Sequence, residues 1–258
     1  MAQRPRVWLY IPLLLMTLFY LVPLYVMLVT SFKSFSEVDL QRMWELPRSP
    51  GLDNFIAAYK QLAPALWNSV KLVVPAALIS AFLGSLNGFV LAKWKFPGAD
   101  WIFPLILFGM FIPYQSILIP LVSFMNKINL YGGIPGLLLT HVIYGIPIST
   151  LTFRNYYATV PRELMEAAKI DGAGMLASYR EILLPLSAPA FVVVLIWQFT
   201  SAWNDFLCAV ILTSPQNWPI TVALNNMAGS QIVAWNVQMA GSLLAALPTL
   251  LVYILLGR

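Results

Sequence analysis

The sequence predicts an all-α membrane protein of six transmembrane helices, and three observations predict it. The 258 residues have a mean hydropathy of +0.77 and only 10% charged side chains, too apolar for a water-soluble domain of ordinary composition. Apolar runs of the length that crosses a hydrocarbon core, roughly 20 residues for about 30 Å, recur along the chain. The segments between them are polar and too short to form a large soluble domain.

The runs lie at about 7–30, 67–92, 101–123, 136–153, 188–212 and 236–256, within a single transmembrane domain over 1–258. The first follows Arg4 and Arg6 as a secretory signal would, but it continues through Tyr25, Met27 and Leu28, beyond the roughly 15 residues of a signal core. It reads as a retained helix. Residues 34–66 carry Pro47, Pro50, Pro64 and charges of both signs, and read as an outer loop. In the second run Gly84 and Gly88 make a G-x-x-x-G pair, which lets another helix approach closely. Lys93, Lys95, Pro97 and Gly98 form a short basic turn. Pro104, Pro113 and Pro120 predict kinks or breaks in the third run, of the kind that line pathways when neighbours or water satisfy the freed carbonyls. Residues 126–135 read as a loop, 154–187 as a longer one, and 213–235 as a polar, uncharged connection.

Cations orient the bundle. With six crossings, Arg4, Arg6, Lys93, Lys95, Arg154, Arg162, Lys169, Arg180 and Arg258 fall on one side, against six on the other. Two of the nine flank the first helix and two fill a very short loop, where the positive-inside rule is strongest. Both termini and the 154–187 loop are therefore expected in the cytoplasm, in a multi-pass protein of the cell (inner) membrane.

Other function classes lose their footing. A net charge of +5 does not point to nucleic acid, because the basic residues sit at segment ends and not in a patch. Cys208, the single cysteine, reads as a packed, inert thiol. His141, the single histidine, has no second metal ligand at a workable spacing and reads as a structural hydrogen-bonding group; no metal site is expected. None of the seven lysines follows a glycine, so the chain has no Walker A loop of its own. Paired acids, histidine clusters and nucleophile arrangements are missing too, so no enzyme and no cofactor are expected in this chain.

Within 154–187, Pro161 fits a first helical position, Glu166-Ala167-Ala168 follow on a short helix, and Asp171-Gly172 allow a bend. A second short helix offers Met175, Leu176 and Tyr179 as apolar contacts, and Pro185 and Pro189 mark re-entry into the membrane. The Glu166 carboxylate either pairs with a base on a partner or is a solvated charge on a helix face, and spacing alone does not separate the two. The whole pattern resembles the EAA coupling loop of ABC importer permeases. That resemblance implies the type I ABC importer permease fold, a cytosolic ATPase dimer that supplies the ATP and Mg chemistry, and a second homologous permease. Glu166, Ala167, Ala168, Gly172, Met175, Leu176 and Tyr179 would be the ATPase-coupling residues, and transport would run by alternating access.

Further segments resemble the carbohydrate, maltose-type second-permease branch: Ser31-Phe32-Lys33, Asp53-Asn54-Phe55, Asn68-Ser69, Phe96-Pro97-Gly98, Pro161 with Glu163, and Trp203-Asn204-Asp205-Phe206. They imply a sugar as substrate and an extracytoplasmic sugar-binding protein as partner. Gly174 departs from the family, where serine or threonine is frequent, so the second coupling helix is expected to lack a side-chain cap. The family's short tail after the sixth helix has no counterpart beyond Arg258, which leaves a tail contact with the ATPase unsupported.

The fifth run holds Trp197, Ser201, Asn204 and Asp205 at i, i+4, i+7 and i+8, one face of a continuous helix. A central Asp costs about 2.5–3.5 kcal/mol on insertion scales, so Asp205 should face protein or water. Such a face suits a sugar, and it equally suits an interhelical hydrogen-bond network. Tyr114, Gln115 and Gln198 are substrate-path candidates on the same logic. Two alternatives remain: the same importer type with an amino acid or metal ion as cargo, and an ion-driven secondary transporter. The second expects inverted repeats and paired intramembrane ionisable groups, where this sequence offers Asp205 essentially alone.

Overall fold

The computed structural model describes residues 8, 10–229 and 233–257. Arg4, Arg6, Val7 and Arg258, used above for orientation and for the first boundary, lie outside them. Among the described residues the chain is helical with no strand, only an isolated bridge from Gly132 to Thr213. Among the described residues four helices are long and apolar enough to cross a membrane: α1 (Tyr10–Ser31), α2 (Asp53–Lys93), α5 (Ile134–Thr159) and α12 (Trp235–Leu256). Two bent pairs bring the number to six when each is taken as one span. One joins α3 (Ala99–Phe111) to the segment Tyr114–Lys127, which includes α4 (Leu118–Lys127), with a bend of 86°. The other joins Met175–Leu186 to α9 (Ala188–Trp203) at 75°.

The chain forms two compact units, residues 1–64 with 223–248 and residues 65–222 with 249–258. In the first, α1 is apolar all round and exposed along most of its length, as a lipid-facing helix must be. Its last turn is buried and tied down. Asn54 donates to the carbonyls of Ser31 and Lys33, each at 2.8 Å, and the Phe32 and Phe55 rings lie 5.1 Å apart. Asn236 of α12 adds donations to Asn54 Oδ1 (2.9 Å) and to the Lys33 carbonyl (3.2 Å). Two of the short motifs noted above are thus the two halves of one clamp. Lys33 is itself buried, its ammonium donating to the Arg42 carbonyl at 2.7 Å. Glu37 accepts the backbone N–H groups of Ser34 and Arg48, which hold its carboxyl below the usual range.

Two expectations for this region are corrected. α2 starts at Asp53 and not near 67, because Ala58 and Leu62 make a buried stripe while Tyr59, Lys60 and Gln61 stay outside: an amphipathic helix that composition alone reads as loop. Leu62 packs on Gly241 of α12, where a Cβ would come within 2.9 Å of Leu62 Cδ1. Residues 213–235 are likewise not merely a connection. They contain α11 (Ile220–Ala228), which buries Ile220 and Val222.

In the second unit α2 and α5 touch backbone to backbone at Gly84 and Gly88, as the G-x-x-x-G spacing predicts. The third run breaks at Ile112-Pro113, one of its expected proline sites. α5 runs six residues past the expected end at 153, so the following loop begins at 160 and not 154. Arg154 does not stop the helix: its guanidinium stacks 4.0 Å from the Phe103 ring centroid. The fifth run is not one helix to 212. α9 ends at Trp203 and α10 (Leu207–Leu212) starts anew, because the Asp205 carboxylate accepts the N–H groups of Cys208 (3.3 Å) and Ala209 (3.0 Å) in the manner of a cap. Asn68 and Ser69 hold the 213–219 segment: Asn68 donates to the Gln216 and Trp218 carbonyls, and Ser69 Oγ accepts the Ile220 N–H at 2.8 Å. Cys208 is buried, as expected of a packing thiol.

Candidate functional site

The loop after α5 is built as two halves with opposite faces. Lys93, at the end of α2, donates to the Val160 carbonyl at 2.6 Å and fixes where the loop leaves the helix. Pro161 precedes the first short helix and does not occupy its first position: it is extended (φ −55°, ψ 142°), and α6 (Arg162–Ile170) starts one residue later. α6 ends in a Schellman turn, with Ala173 N–H on the Ala168 carbonyl (2.8 Å) and Gly172 N–H on that of Lys169 (3.2 Å). Gly172 adopts φ +79°, the left-handed backbone this closure demands. Glu166, Ala167, Leu164 and Ile170 point outward, Ile170 being 86% exposed, while Ala168 packs inside.

The second half turns inward. α7 (Met175–Ser178) exposes Met175 and, at 73%, Leu176. Tyr179, expected beside them on the outer surface, is 3% exposed. It begins a wide π-helical turn, Tyr179–Leu183, leading into α8 (Leu184–Leu186). Its ring stacks on Phe89 of α2 (5.3 Å, 30°) and its hydroxyl meets Ser85 Oγ at 2.9 Å. Ser85 also bonds Tyr157 of α5 (2.6 Å), and Tyr157 donates to Ser187 Oγ at the start of α9 (3.1 Å). Four hydroxyls therefore join the loop to three membrane helices, inside a buried cluster with Phe89, Phe153, Leu183 and Val194. Isolated Ser and Tyr in apolar runs were the available signal for it.

Gly174 leads into α7 without a side-chain cap, as its identity predicts, and a Cβ there meets nothing within 4 Å. Its backbone is extended (φ −74°, ψ 176°), the conformation an N-cap serine takes. Gly174→Ser should stabilise the chain by only a few tenths of a kcal/mol, read as a slightly raised Tm in detergent; a lower Tm would show that this helix end is not limited by its cap.

The polar residues of the fifth run do not share one face. Trp197 (62% exposed) and Ser201 lie on an outward face of α9. Asn204 sits past the helix end, exposed, and bonds back to the Thr200 carbonyl at 3.0 Å. Asp205 turns inward to cap α10, and His141 Nε2 stands 3.4 Å from its Oδ2, an ion-pair distance without hydrogen-bond alignment. The expected lone intramembrane acid thus has an ionisable neighbour, brought from 64 residues away by packing that spacing does not encode. The Asp205 carbonyl also accepts the Thr221 hydroxyl at 2.7 Å. Gln198 is buried, donating to the Gly145 carbonyl (2.9 Å) and Ser149 Oγ (3.2 Å), which makes it a strut between α9 and α5. Tyr114, just after the 86° break, lies edge-on to Tyr144 at 6.3 Å, and Gln115 beside it is exposed. Among the described residues no cluster of His, Cys, Asp and Glu forms a metal cage.

Comparison with known proteins agrees with this architecture. Residues 80–258 match the family model described as "Binding-protein-dependent transport system inner membrane component". A probable ABC transporter permease protein of Pyrococcus horikoshii is 45% identical over 98% of this chain and 93% of its own length. The xylose/arabinose import permease protein of Haloferax volcanii is 35% identical over 92% of this chain and 84% of its own. Among solved structures, a bacterial ABC transporter involved in import of the acidic polysaccharide alginate superposes with a TM-score of 0.83 at 21% identity, covering 100% of this chain and 98% of that one. An all-helical fold with up to six spans, shared with such a transporter, and a family match over most of its length place this chain among the binding-protein-dependent inner membrane components, as a multi-pass permease subunit of an ABC importer.

Proposed function

We propose that this permease carries a sugar across the inner membrane by alternating access, with both termini and the 160–187 loop in the cytoplasm. It would pair with a second homologous permease, receive sugar from an extracytoplasmic binding protein, and be driven by a cytosolic ATPase dimer holding ATP and Mg. The observation that carries the reading is the two-faced loop. Its outward half presents Glu166 and the apolar side chains of Leu164, Ile170, Met175 and Leu176, a set soluble surfaces seldom leave bare together. Its inward half is bonded to α2, α5 and α9, so a push on α6 reaches the membrane helices through the hydroxyl chain. Sugar as the cargo is supported by the names of relatives, the xylose/arabinose permease among them. The outward face of Trp197 and Ser201, with Asn204 beyond it, is the surface this subunit would offer to the path; Gln198 and Asp205 are committed to internal bonds.

The test uses the assembled transporter. In Glu166→Ala, uptake should fall at least about tenfold, the loss of a charge-assisted hydrogen bond of about 1.5–3 kcal/mol. Gly172→Pro should abolish uptake, because proline cannot reach φ +79° and removes the N–H given to Lys169. Both variants should insert normally yet co-purify with less ATPase. ATP-coupled uptake at the native rate in both would remove the coupling role, and uptake that persists with an inactive ATPase under an ion gradient would remove the importer reading of the mechanism.

A further inference from the structure

Arg154 stands without a counter-charge at the loop end of the second unit. Its guanidinium lies 4.0 Å from the Phe103 ring centroid, and its Nε is buried with no hydrogen-bond partner. Among the described residues the only ion pair is His141 with Asp205, so neither Asp100 in the first turn of α3 nor Glu163 in α6 neutralises it. Arg154 is half-buried and only Nε is dry, so the terminal guanidinium nitrogens, which no carboxylate neutralises, stay open to an acceptor from outside the chain.

The depth of the site indicates which acceptor. Phe103 follows Trp101, which is 78% exposed, and Trp94 just ahead of α3 is exposed as well. Exposed indoles collect at the membrane–water boundary, the level of phospholipid phosphates. α3 buries none of its residues, so the flank beside Arg154 is open to lipid. The chemistry fits too. Stacking uses the guanidinium face and leaves its edge free for bidentate bonds to phosphate oxygens, which a lysine cannot reproduce. We propose that Arg154 and Phe103 form a site for the phosphate of an anionic phospholipid, in the leaflet on the side of the 160–187 loop.

The experiment is native mass spectrometry of the full chain taken from bilayers of mixed phosphatidylglycerol and phosphatidylcholine. The wild type should retain phosphatidylglycerol in preference to phosphatidylcholine, and excess inorganic phosphate should not release it. Arg154→Gln should lower that retention about tenfold, the worth of one charge-assisted contact. Arg154→Lys should fall between the two, and Phe103→Leu should weaken retention while keeping the apolar fill; a native Tm in either keeps the result separate from misfolding. Equal retention of the two lipids by the wild type, unchanged retention in Arg154→Gln, or release by inorganic phosphate would each overturn the proposal. So would cross-linking of Arg154→Cys to a second permease chain in the assembled transporter, since that places protein where the lipid should be.

Discussion

Gly84→Leu should leave almost no folded chain to extract from the membrane, and Gly84→Ala should already lower the Tm in detergent. A Cβ at this position would overlap Ser149 Cβ and lie 2.8 Å from the Ser149 carbonyl carbon and 2.9 Å from Thr150 N. The obstacle is the backbone of α5, which has no rotamer into which to retreat, so α2 and α5 must separate. One turn along, Gly88 meets the same helix, with Phe153 Cβ and Arg154 N each at 2.7 Å from its added carbon. Helices in lipid gain little from hydrophobic association and depend on close van der Waals contact, so separation costs them their main attraction. Overpacking costs typically about 1–3 kcal/mol, against a total stability of about 5–15 kcal/mol. Leucine adds three more carbons than alanine in the same place and should exceed that range. Gly174→Ala is the control, because nothing lies within 4 Å of its added carbon. A native Tm and a monodisperse profile for Gly84→Leu would mean that the two helices do not meet there.

What was legible in the sequence was what local chemistry settles. The G-x-x-x-G pair announced a close helix approach, and Gly84 and Gly88 make it. Asp171-Gly172 announced a bend, and Gly172 supplies it at φ +79°. The membrane class followed from run length and composition. What stayed hidden depends on pairing across the chain. Asn54 reads as one polar residue in an outer loop until Ser31, Lys33 and Asn236 gather around it. The first turns of α2 carry Lys60 and Pro64 and too little apolar length to register as a span, yet Ala58 and Leu62 give them a buried stripe. Asp205 fitted a helical face by spacing, but its carboxylate has a better use in capping α10, and that ends α9 before the spacing can be realised. Tyr179 looked outward because its neighbours Met175 and Leu176 do; its direction is set by Phe89 and Ser85, about ninety residues earlier in the chain.

Tyr179 is therefore where the proposed coupling can be separated from mere docking. Tyr179→Phe removes one hydroxyl and leaves Ser85 bonded to Tyr157, so it should cost about 1 kcal/mol and leave uptake close to native. Tyr179→Ala removes the ring from a site that is 3% exposed, and large aromatic truncations in cores cost about 3–5 kcal/mol. The cavity would open between the π-turn and α2, so α6 would remain bonded to its own Schellman turn while losing its rigid link to Phe89 and Ser85. On the proposed mechanism the variant should still recruit the ATPase through the outward face of α6 and still hydrolyse ATP, but the number of sugar molecules moved per ATP should collapse. Glu166→Ala should do the reverse, losing ATPase recruitment while the membrane helices keep their native Tm. The two variants thus break the same path at its two ends, and only a loop that transmits motion gives them opposite signatures. Native uptake per ATP in a folded Tyr179→Ala transporter would show that the buried anchor stabilises the permease without carrying its stroke.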